Sequence, residues 1–470
     1  MKVVVVGIDG ASWDPILPYI QQGMYPGFAK FLNEGLHGPL LSTIPYITQP
    51  GWKSYSMGRN PGKMGVYFWS KIDWKNMKIK NINSLGFHGK DYWDILSDSG
   101  KRVAIIDMPS TFPPKKVNGV MLSGIPHGEG TWVYPEEFEK NIPTSYVKEQ
   151  IHLFNRNENP EQTMDGIEKE VQSRFEMAES LWNNDLIHLS ITMNDHVSHF
   201  MWDNENIMKR NFKVNDEGIS RILSKNKDGY TLLMSDHGNG PIEDEFYANE
   251  YLAKEGLLAK KEAKNPMLSR ESVVNFGKKT GLYKVARSLP DGMQVRIVKR
   301  IKDLDSSMEF EIERLIDWKE SKVLALDEGL FYVNPMFIEE KDQIVEDLTK
   351  RLKSLKSKTN KQVFKQVMRG EEVYWGQYLS EAPDVVAITN EIYHQRFQLS
   401  GHLWATDIPE KKMAYRTRQV AHHRIKGIFG LIGPGISPKP ITASIYDLAP
   451  TILKIFNCEI PPDMDGKPLI

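Results

Sequence analysis

Six side chains that can bind a metal ion follow or lie near apolar segments of this 470-residue sequence. They comprise three carboxylates and three imidazoles, namely Asp9, Asp195, Asp236, His199, His237 and His423. A shell of oxygen and nitrogen without thiolate favours Zn, Mn or Fe. Six ligands suffice for two divalent cations, and paired cations can hold the entering and leaving oxygens of phosphoryl transfer. The residue types therefore predict a two-metal site, with zinc as the first choice.

The segment 231–240 reads Thr-Leu-Leu-Met-Ser-Asp-His-Gly-Asn-Gly and is the centre of this pattern. Its apolar run predicts a buried parallel strand, and ligands in open α/β sheets bind just beyond the carboxyl ends of such strands. Because adjacent strand side chains point to opposite faces, Asp236 and His237 can share one metal only if the strand has already ended. We expect Gly238 and Gly240 to provide the turn that ends it.

Two further apolar runs deliver carboxylates in the same way. The run Val3–Ile8 predicts a central parallel strand that ends at Asp9. A strand predicted over residues 185–192 leads to Asp195 and His199, whose spacing of four places both on one face of a helical turn. His423 comes just before a strand predicted over residues 427–433. The alternatives are a helix cap for Asp9 and a solvated helix start with incidental histidines.

A threonine at the start of a predicted helix is the candidate nucleophile. Thr48 precedes Pro50, which suits a first helical turn, so its hydroxyl meets the free N–H groups and the positive end of the helix dipole. The same geometry binds phosphate. An ordinary N-cap role is the alternative. Thr43 has the same Thr-x-Pro spacing and remains a rival on the pattern alone.

Composition narrows the class of partner. The chain has 60 basic and 61 acidic residues and a net charge of -1, so its overall charge does not attract a nucleic-acid polymer. No apolar run approaches the ~20 residues of a membrane span. Cys458 is the only cysteine, and the first residues lack the pattern of a signal peptide. We expect a cytoplasmic protein with a small-molecule substrate; the oligomeric state stays open.

The order of predicted elements suggests three parts. Residues 1–257 alternate between strands and helices, as an α/β catalytic core would. Residues 258–316 are Lys-rich, helical and irregular, and the region up to 400 has strand-like patches around a charged helix, which together predict an insertion and a small α+β cap. Residues 401–470 return to the core.

These motifs, taken in order, resemble the alkaline phosphatase superfamily and most closely its type I phosphodiesterase and nucleotide pyrophosphatase branch. The matching segments are Gly7-Ile-Asp-Gly10, Thr48-Gln-Pro-Gly-Trp52, Asn60-Pro-Gly-Lys63, Asp195-x-x-x-His199, Ser235-Asp-His-Gly238, His423-Arg-x-x-Gly427 and Ala449-Pro-Thr-Ile-Leu453. The resemblance implies a three-layer α/β/α core with a mostly parallel sheet and an inserted smaller cap domain.

The resemblance also implies roles for the candidate residues. One metal would be held by Asp195, His199 and His423, and the other by Asp9, Thr48, Asp236 and His237. Thr48 rather than Thr43 would be the nucleophile, forming a phosphothreonine intermediate on the way to hydrolysis of a phosphodiester or pyrophosphate. Gln49, Lys53 and Arg424 are candidate substrate-binding residues.

Three departures from the family pattern bear on the substrate. Relatives usually have Thr where Met57 stands and His where Met64 stands, although neither position is a metal ligand. Phe68-Trp69 occupies the region where nucleotide-cleaving relatives often carry an Asn for a phosphoryl oxygen. The alternatives are therefore a phosphomonoesterase or phosphomutase of the same superfamily, or a metal-binding protein without turnover.

Overall fold

The apolar run Val3–Ile8 forms a central strand of a large sheet in the computed structural model, which describes residues 1–148, 159–261, 308–408 and 419–470. The strands within these ranges are β1 (Val3–Ile8), β2 (Leu36–Leu41), β3 (Ser70–Asp73), β4 (Lys78–Asn81), β5 (Val103–Met108), β6 (Gly119–Ser123), β7 (Val133–Tyr134), β8 (Leu186–Ile191), β9 (Tyr230–Met234), β10 (Gly238–Pro241), β11 (Asp244–Tyr247), β12 (Val323–Leu326), β13 (Leu330–Val333), β14 (Phe364–Arg369), β15 (Val385–Thr389), β16 (Tyr393–Arg396), β17 (Ala421–Arg424), β18 (Lys426–Ile432), β19 (Lys439–Pro440) and β20 (Ala443–Ser444).

The α-helices in the same ranges are α1 (Leu17–Ile20), α2 (Pro26–Glu34), α3 (Thr48–Met57), α4 (Pro61–Met64), α5 (Tyr92–Asp98), α6 (Pro160–Ser180), α7 (Met193–Met201), α8 (Glu205–Lys225), α9 (Ala248–Lys254), α10 (Met308–Leu315), α11 (Lys341–Ser354), α12 (Gly370–Val373) and α13 (Leu448–Ile455). Short 3-10 helices occupy Ser84–Gly86, Glu136–Asn141, Pro335–Glu340, Leu379–Glu381, Ala405–Asp407 and Ile445–Asp447.

The large sheet has the order β19-β2-β18-β9-β1-β8-β5-β6-β7, with β20 paired to β2. Strand β1 is parallel to both of its neighbours, β8 and β9, and the parallel pairing continues through β5 to β6. Strand β18 runs antiparallel between β9 and β2. Because β1, β8 and β9 are parallel, their carboxyl ends meet at one edge of the sheet. The segments that follow these three strands carry most of the predicted ligands.

Helices cover both faces of this sheet. On β1, Val4 and Val6 belong to one buried cluster, which includes side chains of α2, α6 and α8. Val3 and Val5 belong to another, which includes side chains of α3, α5 and α13. A strand apolar on both faces is the signature of a sheet buried between two helical layers. The predicted three-layer α/β/α core with a mostly parallel sheet is confirmed.

A second, smaller sheet follows the core along the chain. It has the order β12-β13-β15-β14, is antiparallel throughout, and packs with Ile344, Leu348 and other apolar residues of α11. One short pairing ties this region to the core, since β11 pairs with β16, and a second pairing, of β10 with β17, joins the two parts of the core. The boundaries at 258 and 400 remain a prediction, and most of the predicted helical insertion lies outside the described residues.

One long element is absent from the sequence-based prediction. Helix α8 begins after Asn204, whose side-chain oxygen accepts a hydrogen bond from the Ile207 N–H, and it buries Ile207, Phe212 and Ile219. It packs against α6 and α2 and completes one helical layer. Within the described ranges, none of the helices combines the length and apolar character that a bilayer span requires.

Candidate active site

Strand β9 ends at Met234, and Asp236 and His237 lie beyond it, fully buried. The expectation that the strand stops before these residues is therefore met. The predicted role of the two glycines is wrong, because Gly238 and Gly240 do not turn the chain but form strand β10 against β17. At Gly238 the reason for glycine is close approach, since a Cβ there would lie 2.2 Å from the carbonyl oxygen of Lys426.

Asp9, Asp236, His237 and Thr48 converge at the carboxyl edge of the sheet. The His237 Nε2 atom lies 3.2 Å from Asp236 Oδ2, 3.5 Å from Asp9 Oδ1 and 3.4 Å from the Thr48 hydroxyl oxygen. Ligand atoms of the two carboxylates and the imidazole all lie within 4.8 Å of one another. The structure thus brings together the four side chains that the resemblance assigns to one metal.

The position of Thr48 is set by the way helix α3 packs on the sheet. Thr48 is the first residue of α3, and Trp52 one turn later is fully buried. The Trp52 indole N–H donates to Asp9 Oδ2 at 3.1 Å. A Cβ on Gly7 would lie 2.4 Å from the Trp52 ring, so glycine at this point of β1 is what lets the ring lie against the strand. These contacts fix the amino-terminal end of α3 over the end of β1.

Asp195, His199 and His423 form a second group beside the first. Asp195 lies in the first turn of α7, and His199 follows one turn later, as their spacing predicts. His199 Nε2 lies 3.0 Å from Asp195 Oδ2, and His423 Nε2 lies 3.8 Å from Asp195 Oδ1. The ring centroid of His423 is 4.9 Å from that of His199 and 4.0 Å from that of His237. His423 therefore lies between the two groups.

Backbone carbonyls orient two of the imidazoles. His199 Nδ1 lies 2.9 Å from the Ala421 carbonyl oxygen, and His237 Nδ1 lies 3.1 Å from the Gly238 carbonyl oxygen. A carbonyl can only accept, so each Nδ1 carries a proton, and in the neutral ring Nε2 is then the nitrogen that can bind a metal ion. This is the arrangement that metal-binding histidines adopt when the second ring nitrogen is fixed by a protein acceptor.

Two asparagines that we did not predict hold the carboxylate-bearing loops. Asn239 donates to Asp195 Oδ1 at 2.8 Å, and Asn194 donates to the Asp9 carbonyl at 2.6 Å. Both asparagines are buried. Each is a near neighbour of a predicted ligand in the sequence, and that adjacency was the only signal available for them.

The electrostatics of the groups fit a bound cation. Asp9 Oδ1, Asp236 Oδ2 and both His423 nitrogens are buried without a hydrogen-bond partner in the described part of the chain. Burial, together with Asp236 and Asp195, raises the pKa of Asp9, and burial raises the pKa of Asp236 to about 6. Burial would also raise the pKa of Asp195, but His199 lowers it. Crowded buried carboxylates that each leave one oxygen without a hydrogen bond are costly unless a positive ion compensates them.

The structure places the three residues predicted to bind substrate less favourably for contact with a phosphate. Lys53 is 1% exposed, and its ammonium donates to Asp91 in a buried ion pair. Arg424 donates from Nη1 to the carbonyls of His422 and His423 and from Nη2 to the carbonyl of Pro241. Gln49 follows Thr48 directly and donates to the Ile82 carbonyl at 3.3 Å, while its buried side-chain oxygen has no partner among the described residues. We do not retain Lys53 as a substrate contact, because a charge held inside the protein by Asp91 is not available to a phosphate.

Replacing Lys53 with methionine should therefore destabilise the fold. Removing Lys53 leaves the buried Asp91 with Lys115 as its remaining ion-pair partner at 3.1 Å, so the expected loss in the free energy of unfolding is up to roughly 3 kcal/mol. Burial would raise the pKa of Asp91, but Lys53 and Lys115 lower it to about 2. A depressed carboxylate pKa stabilises the fold above the ordinary pKa near 4, and that contribution is lost as the pH falls through about 2. Denaturant unfolding should show a deficit that is constant between pH 5 and 8 and shrinks below pH 4.

The matched control is Lys90→Met, which breaks the exposed pair between Lys90 and Asp98. It should leave the free energy of unfolding near the wild-type value. Equal stability of the Lys53→Met variant and the wild type at neutral pH would show that the ion pair does not support the fold.

The residues that depart from the family pattern are apolar and lie in hydrophobic clusters, with Met57, Met64 and Phe68 buried and Trp69 partly buried. Met57 and Met64 pack with Val66, Ile82 and Phe87 in a small cluster of their own. Phe68 and Trp69 pack against the cluster that contains the smaller sheet. They contribute to packing and supply no amide group.

The chain matches a known protein family in sequence and known structures in fold. Residues 3–401 match the family described as type I phosphodiesterase/nucleotide pyrophosphatase. Among curated proteins, none matches the sequence significantly. Human ectonucleotide pyrophosphatase/phosphodiesterase 5 is similar in structure, with 13% identity, coverage of 99% of this chain and 97% of that one, and a TM-score of 0.58.

Two further solved structures share the fold. Phosphonoacetate hydrolase from Sinorhizobium meliloti is 12% identical over 96% of this chain and 94% of that one, with a TM-score of 0.60. The wild-type alkaline phosphatase PafA is 14% identical over 100% of this chain and 98% of that one, with a TM-score of 0.59. The family match spans most of the sequence. The chain therefore belongs to the type I phosphodiesterase/nucleotide pyrophosphatase family, a group of phosphoester hydrolases within the alkaline phosphatase superfamily.

Proposed function

We propose that this protein is a two-metal-dependent hydrolase of phosphodiesters or pyrophosphates that acts through a covalent phosphothreonine on Thr48. The observation that carries the proposal is the position of the Thr48 hydroxyl at the start of α3, 3.4 Å from His237 Nε2. The same imidazole nitrogen lies 3.2 Å from Asp236 and 3.5 Å from Asp9. The candidate nucleophile, the proposed ligands of one metal and the amino terminus of α3 therefore lie together.

The donor sets suit two divalent cations. Asp9, Asp236, His237 and Thr48 would hold one, while Asp195, His199 and His423 would hold the other. Nitrogen and oxygen donors without thiolate favour Zn, with Mn or Fe as alternatives. When bound, such ions lower the pKa of hydroxyl groups and neutralise charge on phosphoryl oxygens.

Thr48 would carry the phosphoryl group between two displacements. In the first, the Thr48 oxygen forms a bond to phosphorus as the bond to the leaving alcohol or phosphate breaks, and the leaving group takes up a proton. In the second, a water oxygen attacks phosphorus, the Thr48 oxygen leaves, and the hydroxyl is restored. The N–H groups of the first turn of α3 favour the extra negative charge at this point.

Solved relatives support the substrate class. A murine ectonucleotide pyrophosphatase/phosphodiesterase 5 structure, 12% identical with a TM-score of 0.54, is described as an inactive threonine-to-alanine variant in complex with AMP. The structures of phosphonoacetate hydrolase and alkaline phosphatase show that the same fold also serves other phosphoryl substrates. A phosphomonoesterase is therefore the second candidate.

The charge of the site favours the diester. Two divalent cations would bring four positive charges, and Asp9, Asp195, Asp236 and a deprotonated Thr48 would bring four negative ones, so the sum is about zero. A monoester dianion then needs a further cation to hold it. Lys53 is neutralised by Asp91, and the Nη1 and Nη2 groups of Arg424 bind backbone carbonyls.

The test compares kcat/KM for bis(4-nitrophenyl) phosphate and 4-nitrophenyl phosphate at equal pH and metal load. One missing charged hydrogen bond is worth about 1.5–3 kcal/mol, so we expect a preference for the diester of at least about tenfold. A higher value for the monoester would move the protein to the phosphatases or mutases. No turnover of either ester by metal-loaded protein would favour a binding protein without catalysis.

A further inference from the structure

A third group of ligand-type side chains lies next to the two already described. Glu328, His394 and His422 offer atoms that all lie within 4.8 Å of one another. Glu328 Oε1 is 2.6 Å from His422 Nε2 and 3.5 Å from His394 Nε2. The rings of His394 and His422 are stacked with centroids 3.3 Å apart. Neither proposed metal set includes any of the three.

Three distant chain segments build this group. Glu328 lies at the turn of the hairpin between β12 and β13, where it adopts a left-handed conformation with φ 63°. That conformation is unfavourable for a residue with a Cβ, and such residues concentrate at functional sites. His394 lies on β16 and is paired in register with Glu245 of β11, while His422 lies on β17.

Most of the imidazole nitrogens in this group make no hydrogen bond to the described residues. His394 is 2% exposed, and neither of its ring nitrogens has a hydrogen-bond partner among the described residues; the same holds for His422 Nδ1. Two buried imidazoles stacked this closely repel each other if both are protonated. A bound cation would use the lone pairs that the fold leaves facing Glu328.

A second carboxylate supports one of these imidazoles. Glu245 Oε1 lies 3.6 Å from His394 Nδ1, whereas Glu328 faces His394 Nε2. A carboxylate beside the second ring nitrogen is the usual support of a metal-binding histidine, because it stabilises the tautomer that leaves the other nitrogen free to bind.

We propose that Glu328, His394 and His422 bind a third divalent transition-metal cation. Two imidazoles and one carboxylate form a ligand set that suits zinc, with Mn and Fe as alternatives. The site adjoins the proposed two-metal centre, since the His422 ring centroid is 4.0 Å from that of His423 and 4.9 Å from that of His199. Glu328 and Glu245 together offset the charge of this cation, so the neutral balance beside Thr48 is kept.

The test counts metal ions and does not depend on turnover. Full-length protein is stripped with a chelator, saturated with Zn²⁺, freed of excess metal and measured by elemental analysis. The wild type should hold three equivalents, and Glu328→Gln and His394→Gln should each hold two. His37→Gln, which alters an imidazole on β2 that contacts the Gly35 carbonyl, should still hold three. The double variant Glu328→Gln with Asp195→Asn should hold one.

Thermal unfolding of each variant checks that the fold is kept, and His394→Gln serves if Glu328→Gln does not fold. Two equivalents in the wild type and in both single variants would overturn the third site while leaving the two-metal centre intact. Three equivalents in both single variants would also overturn it. Fewer than two equivalents in the wild type would contradict the proposed function as well.

Discussion

Replacing Thr48 with alanine should lower kcat/KM for a phosphodiester by roughly 10⁴-fold or more, because covalent catalysis cannot proceed without its nucleophile. The free energy of unfolding should change by less than about 1 kcal/mol, since within the described residues the hydroxyl makes one long hydrogen bond, 3.4 Å to His237. Steady-state kinetics and denaturant unfolding of the purified variant provide the two measurements.

Thr43→Ala is the matched control, because Thr43 has the same spacing to a proline and is equally buried. Its hydroxyl is paired with the Tyr446 hydroxyl at 2.7 Å. This variant should keep activity within a few-fold of the wild type. An inactive Thr43 variant alongside an active Thr48 variant would reverse the assignment of the nucleophile.

Removing the metal ions should lower kcat/KM by about 10³-fold, because charge compensation by bound cations is worth several kcal/mol in the transition state. In this chain the buried oxygens Asp9 Oδ1 and Asp236 Oδ2 have no hydrogen-bond partner among the described residues, so bound cations would compensate their charge. Chelated protein is assayed against bis(4-nitrophenyl) phosphate, and Zn²⁺, Mn²⁺ or Fe²⁺ is then added back.

Zn²⁺ should restore the most activity. Asp236→Asn should bind one equivalent less than the wild type, which separates loss of metal from loss of fold when thermal unfolding is followed in parallel. Full activity in protein that elemental analysis shows to be free of metal would contradict the two-metal mechanism.

The sequence carried enough information for the core and for the convergence of the ligands. Apolar runs that stop at Asp9 and just before Asp236 identify strands whose carboxyl ends lie together, because neighbouring strands in such a core are parallel. The four-residue spacing of Asp195 and His199 is likewise local and predicts a shared helix face. These features depend on short segments, and the structure places them as expected.

Other features depend on contacts between distant segments and have no local pattern. Lys53 looks like a solvent-facing helix residue until Asp91, 38 residues later, is brought beside it. The pairing of β10 with β17 is set by a strand almost two hundred residues away, so Gly238 and Gly240 read as a turn in the sequence. Glu328, at the β12–β13 hairpin of the smaller sheet, and His394, on β16, come from segments distant in sequence from His422 on β17. Helix α8 is different, because its capping residue Asn204 and its helical spacing of apolar residues were present in the sequence.

The stereochemical course at phosphorus distinguishes a phosphothreonine intermediate from direct attack by water. Hydrolysis of a phosphorothioate diester of known configuration in isotopically labelled water reports the number of in-line displacements, whether or not an intermediate accumulates. Attack by Thr48 followed by attack by water inverts phosphorus twice, so we expect net retention of configuration. Net inversion would mean that water attacks the substrate directly, and it would contradict a phosphothreonine intermediate.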